Sequence, residues 1–325
     1  MTSPELAPQG RDARDALVSL HSEIGKAVVG QEGALTGLII ALVADGHVLL
    51  EGVPGVAKTL LVRTLARCID LTMTRVQFTP DLMPADITGS LVWDNGKSEF
   101  EFRPGPIFTN LLLADEINRT PPKTQSALLE AMEEHQVSVD GHTRPLASPF
   151  MVIATQNPVE YEGTYPLPEA QLDRFLLKLD LPLPSREDEF NILLRHQNGF
   201  NPLDLGSADL HPVANASDIL TAREQAEHIE VSPAVLTYMV DLIRATRTSP
   251  AVRIGVSPRG ATALLRVCRV WAFLQGRSFV TPDDVKAMAD SVLAHRLSMK
   301  AEAELEGLNA HSVIASILEQ VPVPR

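Results

Sequence analysis

The stretch Glu51–Leu61, EGVPGVAKTLL, constrains the fold of this chain more than any other segment. It nearly matches a phosphate-binding pattern, in which a glycine, four residues and a second glycine precede a lysine and a serine or threonine. Gly52, Lys58 and Thr59 have the expected spacing, but Ala57 replaces the second glycine. The apolar segment HVLLE precedes the stretch and the helical pattern TLLVRTLARCI follows it. This context predicts a strand-to-helix turn, which is where phosphate-binding loops occur.

The backbone conformation at Ala57 determines whether alanine can replace the second glycine of a phosphate-binding loop. Gly55 can adopt the positive φ that a tight turn beside a helix requires. Residue 57 directly precedes Lys58, where the chain is entering a helix, so a negative φ suffices there and alanine accepts it without strain. We therefore predict a negative φ at Ala57 and a phosphate-binding loop rather than an ordinary glycine-containing turn. The residues predicted to surround the phosphates are Gly52, Val53, Pro54, Gly55, Val56, Ala57, Lys58, Thr59 and Leu60.

The last residues of the loop have separate expected roles. Lys58 is expected to reach the β- and γ-phosphates, and the hydroxyl of Thr59 is expected to bind Mg²⁺. A guanine-specific enzyme is disfavoured, because the Asn/Thr-Lys-x-Asp motif is not found in the sequence. The nearest form, LKLD at Leu177–Asp180, begins with an apolar residue. ATP and Mg²⁺ are therefore the predicted cofactors.

Two acidic residues follow another apolar segment, LLLADEINR (Leu111–Arg119). Asp115, at the predicted strand tip, is expected to hold a Mg²⁺-bound water beside Thr59, and Glu116 to polarise the water that attacks the γ-phosphate. Paired acids on a loop are often only solvated charges, but these lie at the carboxyl end of a predicted parallel strand, where ligands of such sheets bind. Asn157, in MVIATQNPVE, is expected to hydrogen-bond the γ-phosphate or the attacking water, although an Asn-Pro pair alone indicates only a turn.

The first ~180 residues alternate short apolar segments with helical patterns, which is typical of a parallel sheet covered by helices on both faces. Predicted helices between the strands include Lys58–Ile69 and Lys123–Glu134. The fold class is therefore α/β, with a five-stranded parallel sheet. The five strands are predicted near His47–Glu51, Met73–Gln77, Leu111–Asp115, Met151–Thr155 and Leu176–Leu181.

Two predicted hairpins interrupt this pattern. Asn95-Gly96 and Asp140-Gly141 each lie between alternating segments, and both dipeptides favour two-residue type I′ turns. Beyond LPLPSREDEF the chain is predicted to be all-helical, with hydroxyl-capped, proline-initiated helices. These helices begin at Ser232-Pro233, Ser257-Pro258 and Thr281-Pro282. We predict an α/β nucleotide-binding domain over residues 1–184 and a small all-α domain over residues 185–325.

Composition excludes several classes of protein. The net charge of −13 and the pI near 5.1 argue against broad non-specific binding to nucleic acid or anionic membranes. Residues 1–15 do not resemble a signal peptide, and the longest apolar runs are far too short to span a membrane. Cys68 and Cys268 are expected to be buried free thiols, which fits a reducing cytoplasm. The nine histidines show no metal-ligand spacing, so no zinc site is predicted.

Several long motifs in order give the chain its family resemblance. They are GVPGVAKT with its alanine, LLLADEINRTPPKTQSALLEAME, ATQNP, YPLPEAQLDRF and SPRG. Together they resemble the MoxR family of AAA+ ATPases, over nearly the whole chain from Val28 onward. The resemblance implies a P-loop AAA+ core with two β-hairpin insertions and a helical lid. It also implies that Val29, Gly30 and Gln31 lie against the adenine.

The resemblance also assigns roles to three further residues. Asn157 matches the first sensor, Arg174 in LDRF the arginine finger that reaches a neighbouring subunit's nucleotide, and Arg259 in SPRG the second sensor on the lid. A cation in the first turn of a helix, such as Arg259, opposes the helix dipole, which makes sense if an anion lies opposite. Arg174 has a plainer alternative, because Asp173 and Asp180 could simply pair with it.

The leading functional hypothesis is a chaperone-like ATPase that remodels or matures protein clients and works as a ring, for which the resemblance implies a hexamer. The resemblance suggests von Willebrand factor A domain proteins as partners. A nucleic-acid translocase is the second hypothesis, which the acidic charge opposes, and a non-hydrolysing ATP-dependent scaffold is the third. The hairpins match insertions that face the channel of related rings. Their aromatic residues (Trp93, Phe100 and Phe102) fit either client contact or internal packing, and their basic residues (Lys97, Arg103 and Arg144) are expected to be solvated charges.

Overall fold

A computed structural model describes residues 12–157 and 164–324. Its centre is a parallel sheet of five strands, which are β1 (Val48–Glu51), β2 (Met73–Gln77), β5 (Leu111–Asp115), β8 (Met151–Gln156) and β9 (Leu177–Asp180). Their order across the sheet is β2-β5-β8-β1-β9. All five lie within one or two residues of their predicted bounds. The prediction of a five-stranded parallel sheet is confirmed.

Helices cover both faces of the sheet, which explains the continuous apolar runs of its strands. On β1, Val48 and Leu50 join one core cluster and Leu49 joins the other. The first cluster also contains buried residues from the C-terminal helices, so the two predicted domains share one core. The helices of the N-terminal part are α1 (Ala13–Ile24), α2 (Glu32–Val43), α3 (Lys58–Cys68), α4 (Pro84–Thr88), α5 (Pro122–Glu134) and α6 (Glu169–Leu172).

The two predicted hairpins are present, but their turns differ. One hairpin pairs β6 (Gln136–Val139) with β7 (His142–Pro145), and the φ values of Asp140 and Gly141 are 52° and 73°, as a two-residue type I′ turn requires. That prediction is confirmed.

The other hairpin pairs β3 (Gly89–Asp94) with β4 (Glu99–Pro104). Its predicted two-residue turn is wrong, because four residues separate the strands and Ser98, at φ 55°, adopts the left-handed conformation. The side chain of Asp94 accepts a hydrogen bond from the N–H of Gly96 at 2.7 Å, which favours the longer turn.

The C-terminal part is mainly helical. In each predicted helix start the hydroxyl residue caps the helix and proline opens it, as predicted. The helices of this part are α7 (Arg186–Gln197), α8 (Ala216–Glu227), α9 (Pro233–Thr248), α10 (Pro258–Leu274), α11 (Pro282–Leu293), α12 (Ala301–Leu305) and α13 (Ala310–Gln320). The region is not entirely helical, however, because β10 (Val252–Ile254) pairs with β11 (Ser298–Met299). Both strands are too short to show an alternating pattern in the sequence.

Other predictions about this chain can be compared with the described residues. Cys68 and Cys268 are buried free thiols, as predicted, and burial raises the pKa of both. No cluster of three or more potential metal ligands occurs within residues 12–157 and 164–324. None of the helices in those ranges is long and apolar enough to cross a membrane. Residues 1–15 were predicted not to form a signal peptide, and most of them lie outside the described residues.

His47 fixes the start of β1 against its neighbours. Its Nδ1 accepts a hydrogen bond from the N–H of Val152 at 3.0 Å, and its Nε2 donates to the carbonyl of Met132 at 3.0 Å. The ring is 5% exposed. Burial lowers the pKa of His47 to about 4, and the nearby positive charges add to this effect. The neutral ring is therefore required in the folded state.

We expect acid to destabilise the fold partly through His47. Its folded-state pKa lies below that of the unfolded chain, so its contribution is present above pH 6.5 and is lost as the pH falls towards 4, by up to about 3 kcal/mol. Urea unfolding at several pH values across this window should show a steeper loss of unfolding free energy for the wild type than for His47→Gln. Equal slopes for the two chains would contradict this assignment.

Candidate active site

The predicted phosphate-binding loop connects β1 to α3, but one of its predicted backbone angles is wrong. Ala57 has φ 63° and ψ 23°, which is the left-handed conformation, rather than a negative φ. Gly55, two residues earlier, has φ 89°. Alanine in this conformation costs about 1–2 kcal/mol relative to the right-handed region.

The reason for the error at Ala57 is the shape that the loop must adopt before the helix begins. Residues in alternating right- and left-handed conformations turn successive N–H groups towards one point and so create an anion-binding concavity. Helix α3 begins at Lys58, so the N–H groups of its first turn lack intrahelical partners. The left-handed Ala57 directly precedes these donors, so the preference of alanine for a negative φ does not decide the conformation here.

Lys58 lies beside the strand ends. Its ammonium donates hydrogen bonds to the carbonyl of Gly52 and, at 3.3 Å, to that of Gln156. Burial lowers the pKa of Lys58, while Asp115 and Glu116 oppose this shift. The lysine that the sequence motif singles out is therefore in the electrostatic field of both predicted acids.

Asp115 ends β5 and makes two kinds of contact. Its Oδ1 accepts a hydrogen bond from the hydroxyl of Thr155 at 2.6 Å. Its Oδ2 pairs with Arg75 of β2, at 2.6 Å from Nη2 and 3.0 Å from Nε. The side chain is 14% exposed. Arg75 and Thr155 are site residues that the sequence analysis missed.

Glu116 follows in a left-handed conformation, at φ 58°, and its N–H donates to the hydroxyl of Thr155 at 2.9 Å. Its Oε2 accepts from Gln77 at 2.7 Å and pairs with Arg119 at 3.0 Å. The sequence analysis also missed Gln77. The signal that could have revealed it is positional, because Gln77 ends β2 and pairs in register with Asp115, the last residue of β5.

The first-sensor candidate lies at the same edge of the sheet. Asn157 directly follows β8 and is 7% exposed. The preceding residue, Gln156, donates a hydrogen bond to Glu51 at 3.1 Å, and Glu51 also pairs with Lys178 of β9. The carboxyl ends of β1, β5 and β8 thus bring the loop, the two acids and Asn157 to one edge.

The predicted adenine contacts lie on the segment between α1 and α2. Gly30 has φ 73°, and a side-chain carbon there would lie 2.9 Å from Cγ of Asp188, so the position favours glycine. Gln31 is 5% exposed and donates to the carbonyl of Pro182 at 3.2 Å. Its Oε1 is buried without a hydrogen-bond partner among the described residues. Val29 precedes them and is half-buried.

Arg174 and Arg259 lie at the opposite edge of the sheet from the phosphate-binding loop. Both line a cavity of about 170 Å³ together with Gly46 and His47, which precede β1, whereas the loop follows β1. The length of that strand, about 13 Å at 3.3 Å per residue, separates the two edges. The structure therefore does not bring either arginine to the loop of its own chain.

The two arginines share one partner, Glu133 of α5. Its Oε1 pairs with Nη1 of Arg259 at 3.1 Å, and its Oε2 pairs with Nε of Arg174 at 3.1 Å. The alternative partners considered for Arg174 have other contacts. Asp180 lies 3.7 Å from His311, and Asp173 faces the helical region.

Asp173 belongs to a contact that ties the helical region to the residues around Arg174. Arg296, 9% exposed, pairs with Asp173 at 2.8 Å and donates to the carbonyls of Phe175 at 2.6 Å and Leu176 at 3.2 Å. Burial lowers the pKa of Arg296 to about 10, although Asp173 opposes that shift. The residues on both sides of Arg174 are therefore bound to Arg296, in the C-terminal part of the chain, by an ion pair and by hydrogen bonds.

Comparison with known proteins agrees with this architecture. The ATPase family associated with various cellular activities (AAA) matches residues 47–177, and an AAA lid domain matches residues 244–317. The chain is 47% identical to an uncharacterized protein, YeaC, of Bacillus subtilis, over 94% of this chain and 96% of that protein. It is 42% identical to Chaperone MoxR1 of Mycobacterium tuberculosis, over 93% of this chain and 81% of that protein. The chain belongs to the MoxR family of AAA+ ATPases.

The crystal structure of a candidate ATPase from Cytophaga hutchinsonii also resembles this MoxR-family chain. The TM-score is 0.89, with 41% sequence identity, and the match covers 96% of each chain. The matched AAA region contains the loop, both acids, Asn157 and Arg174, and the matched lid region contains Arg259. The fold predicted for the chain, an AAA+ core followed by a helical lid, is confirmed.

Membership in the AAA+ ATPases implies nucleotide binding, and the residues present fit a nucleotide with its metal. The left-handed Gly55 and Ala57 and the start of α3 form a concave set of backbone donors, which suits phosphate. Thr59 and Asp115 supply the hydroxyl and carboxylate oxygens that Mg²⁺ prefers. The unpartnered Oε1 of the buried Gln31 is an acceptor suited to an amino group such as that of adenine.

Proposed function

We propose that this MoxR-family chain hydrolyses ATP at interfaces between subunits. The observation that supports this proposal most directly is the separation of the phosphate-binding loop from Arg174 and Arg259. Two guanidinium groups that converge on one carboxylate can converge equally on a phosphate, whose oxygens accept the same donors. Since neither reaches the loop of its own chain, both arginines are assigned to the nucleotide of a neighbouring copy.

This arrangement determines the kind of assembly. One subunit presents the carboxyl-terminal edge of its sheet with the loop, and the next presents its amino-terminal edge with the two arginines. Such a head-to-tail contact joins two different surfaces, and repeated copies form a ring when the rotation between neighbours closes. We propose a homo-oligomeric ring, with six subunits as the family resemblance suggests.

Each chain supplies the binding and orienting groups for hydrolysis. Lys58 and the backbone donors of residues 52–60 hold the phosphates, and Thr59 and Asp115 would hold Mg²⁺, which when bound neutralises charge on the phosphates. Glu116 orients and polarises the attacking water, and Asn157 contacts the water or the γ-phosphate. The neighbour's Arg174 and Arg259 stabilise the negative charge of the transition state, for which an arginine from a partner contributes roughly 10³–10⁵-fold in rate.

Gln77 and Arg119 both contact the carboxylate of Glu116, and we propose that these contacts control its availability for catalysis. Both bind its Oε2 in the structure, so that oxygen is already engaged by two donors. Release of one of these contacts would free the carboxylate for catalysis.

The work done by hydrolysis is proposed to be remodelling or maturation of protein clients. Chaperone MoxR1 is the relative whose name describes such a role. On the β3–β4 hairpin, Trp93 and Phe100 form an edge-to-face pair at 5.1 Å and are 48% and 65% exposed, so they are available to an apolar client segment. Phe102 instead packs under Arg144, whose guanidinium carbon lies 3.8 Å from the ring centroid. Von Willebrand factor A domain proteins remain the proposed partners.

Mixing two inactive chains tests the interface. Arg174→Ala and Glu116→Gln are each expected to reduce ATP hydrolysis to near background. In mixed rings, an Arg174→Ala chain with an intact acid can meet the arginine of a Glu116→Gln neighbour. Random mixing in equal amounts should restore activity at roughly a quarter of the interfaces. Phosphate release is measured at a fixed total protein concentration.

Two controls make the mixing result interpretable. Arg67→Ala removes an exposed arginine from α3 and should retain wild-type activity by itself. Subunit exchange is verified with fluorescently labelled chains. If labelled subunits exchange and the mixture stays inactive, Arg174 does not act on a neighbouring subunit.

A further inference from the structure

Glu133 holds together two arginines that come from different parts of the chain. Arg174 belongs to the segment before β9, whereas Arg259 belongs to α10 of the helical region. Each guanidinium binds a different oxygen of the one carboxylate, both at 3.1 Å. The exposed fractions are 39% for the glutamate, 30% for Arg174 and 47% for Arg259, so all three side chains are accessible to a ligand from outside.

The positions of these charges are unfavourable for the helices that carry them. Glu133 is the penultimate residue of α5, where a carboxylate faces the negative end of the helix dipole. Arg259 is the second residue of α10, where a cation faces the positive end. Helix stability therefore does not explain either residue. The ion pair between Glu133 and Arg259, and the second ion pair of Glu133 with Arg174, explain their positions instead.

Neighbouring acids do not substitute for Glu133. Asp173, beside Arg174 in sequence, is bound by Arg296 at 2.8 Å and by the hydroxyl of Ser257 at 3.1 Å. Among the described residues, Glu133 is the carboxylate on which both arginines converge. Its two oxygens lie where two oxygens of a phosphate would accept the same hydrogen bonds.

We infer that Glu133 is a positioning residue that occupies the place of the neighbouring subunit's terminal phosphate until that phosphate arrives. This inference rests on the proposed interface site. In the separate subunit the carboxylate keeps both guanidinium groups aimed at one point and balances their charge. At the interface it competes with the phosphate for the same donors, so its negative charge weakens ATP-dependent association. The ligand that displaces it is the triphosphate end of a nucleotide held by a second copy of this chain.

The test compares subunit association in chains that bind ATP without turnover. All carry Glu116→Gln, and one also carries Glu133→Gln, which removes the charge but keeps a hydrogen-bond acceptor. The matched control carries Glu134→Gln, which makes the same charge change at the same helix end, and among the described residues Glu134 forms no ion pair with either arginine. The dissociation constant of the assembly is measured by sedimentation, with saturating Mg-ATP and without nucleotide.

We expect Glu133→Gln to lower the dissociation constant in ATP about fivefold, as removal of one repulsive charge beside a phosphate implies. Glu134→Gln should change it less than twofold, and neither change should matter without nucleotide. Glu133→Asp, which keeps the charge, should behave like the parent. A purely structural role would instead weaken association in both conditions and would overturn the inference.

The same measurements separate this inference from the proposed function. If Arg174→Ala in the Glu116→Gln chain leaves ATP-dependent association unchanged, the interface site itself is wrong. If that variant weakens association but Glu133→Gln does not differ from Glu134→Gln, only the role of Glu133 is wrong.

Discussion

Replacing Lys58 with alanine is expected to weaken ATP binding about a hundredfold, and hydrolysis should become undetectable. The lysine ammonium is the only side-chain cation placed on the predicted phosphate-binding loop, and a charge-assisted hydrogen bond to phosphate contributes roughly 1.5–3 kcal/mol. Its present contacts with the carbonyls of Gly52 and Gln156 hold it beside the strand ends, where a phosphate would replace them. Isothermal titration calorimetry with Mg-ATP measures the change.

The control for Lys58→Ala is Lys97→Ala, which removes an exposed lysine of the β3–β4 hairpin that pairs with Glu101 at 3.2 Å. That chain should bind ATP like the wild type. Thermal unfolding of both variants establishes that they are folded. A folded Lys58→Ala chain with wild-type affinity would refute the assignment of the loop.

Replacing Glu116 with glutamine is expected to leave ATP binding within a few-fold of wild type and to reduce turnover by about 10²–10⁴-fold, the range for loss of a general base. The substitution keeps the size of the side chain and removes only the charge that polarises the water. Its left-handed backbone is equally accessible to glutamine, and the hydrogen bond to Thr155 comes from the main chain. Calorimetry measures binding, and phosphate release under single-turnover conditions measures the chemical step.

Glu130→Gln is the matched control for Glu116→Gln, because it makes the same change on α5, away from the strand ends. It should hydrolyse ATP normally. Loss of binding in Glu116→Gln, or retention of turnover, would contradict the role given to Glu116.

The ATP-bound Glu116→Gln chain also offers a way to capture protein clients. The proteins that it retains can be compared with those retained by Lys58→Ala.

The sequence predicted the central sheet well because each of its strands has a simple local signal. Segments such as Leu111–Ala114 are buried on both faces, so they consist entirely of apolar residues, and the polar residues that follow mark where each strand ends. The caps at Ser232, Ser257 and Thr281 are equally local. Predictions of this kind depend on a few neighbouring residues and were confirmed.

The errors concern local backbone conformation that residue preferences do not encode, and the residues that were missed come from distant parts of the chain. Ala57 is left-handed at the turn into α3, although alanine by itself prefers a negative φ. The polar partners of the acids, Arg75 and Gln77, come from a strand that lies far away in sequence but next to β5 in the sheet. Glu133 is invisible in the sequence for the same reason, since its contacts join α5 to residues 41 and 126 positions later.

The anchoring of Arg296 has a mechanical consequence for an assembled ring. This buried side chain binds the backbone carbonyls of the two residues after Arg174 and the carboxylate of the residue before it, so it couples that short segment to the C-terminal helices. A change in the phosphates at one contact would pull on the segment and, through it, on the helices of the same subunit.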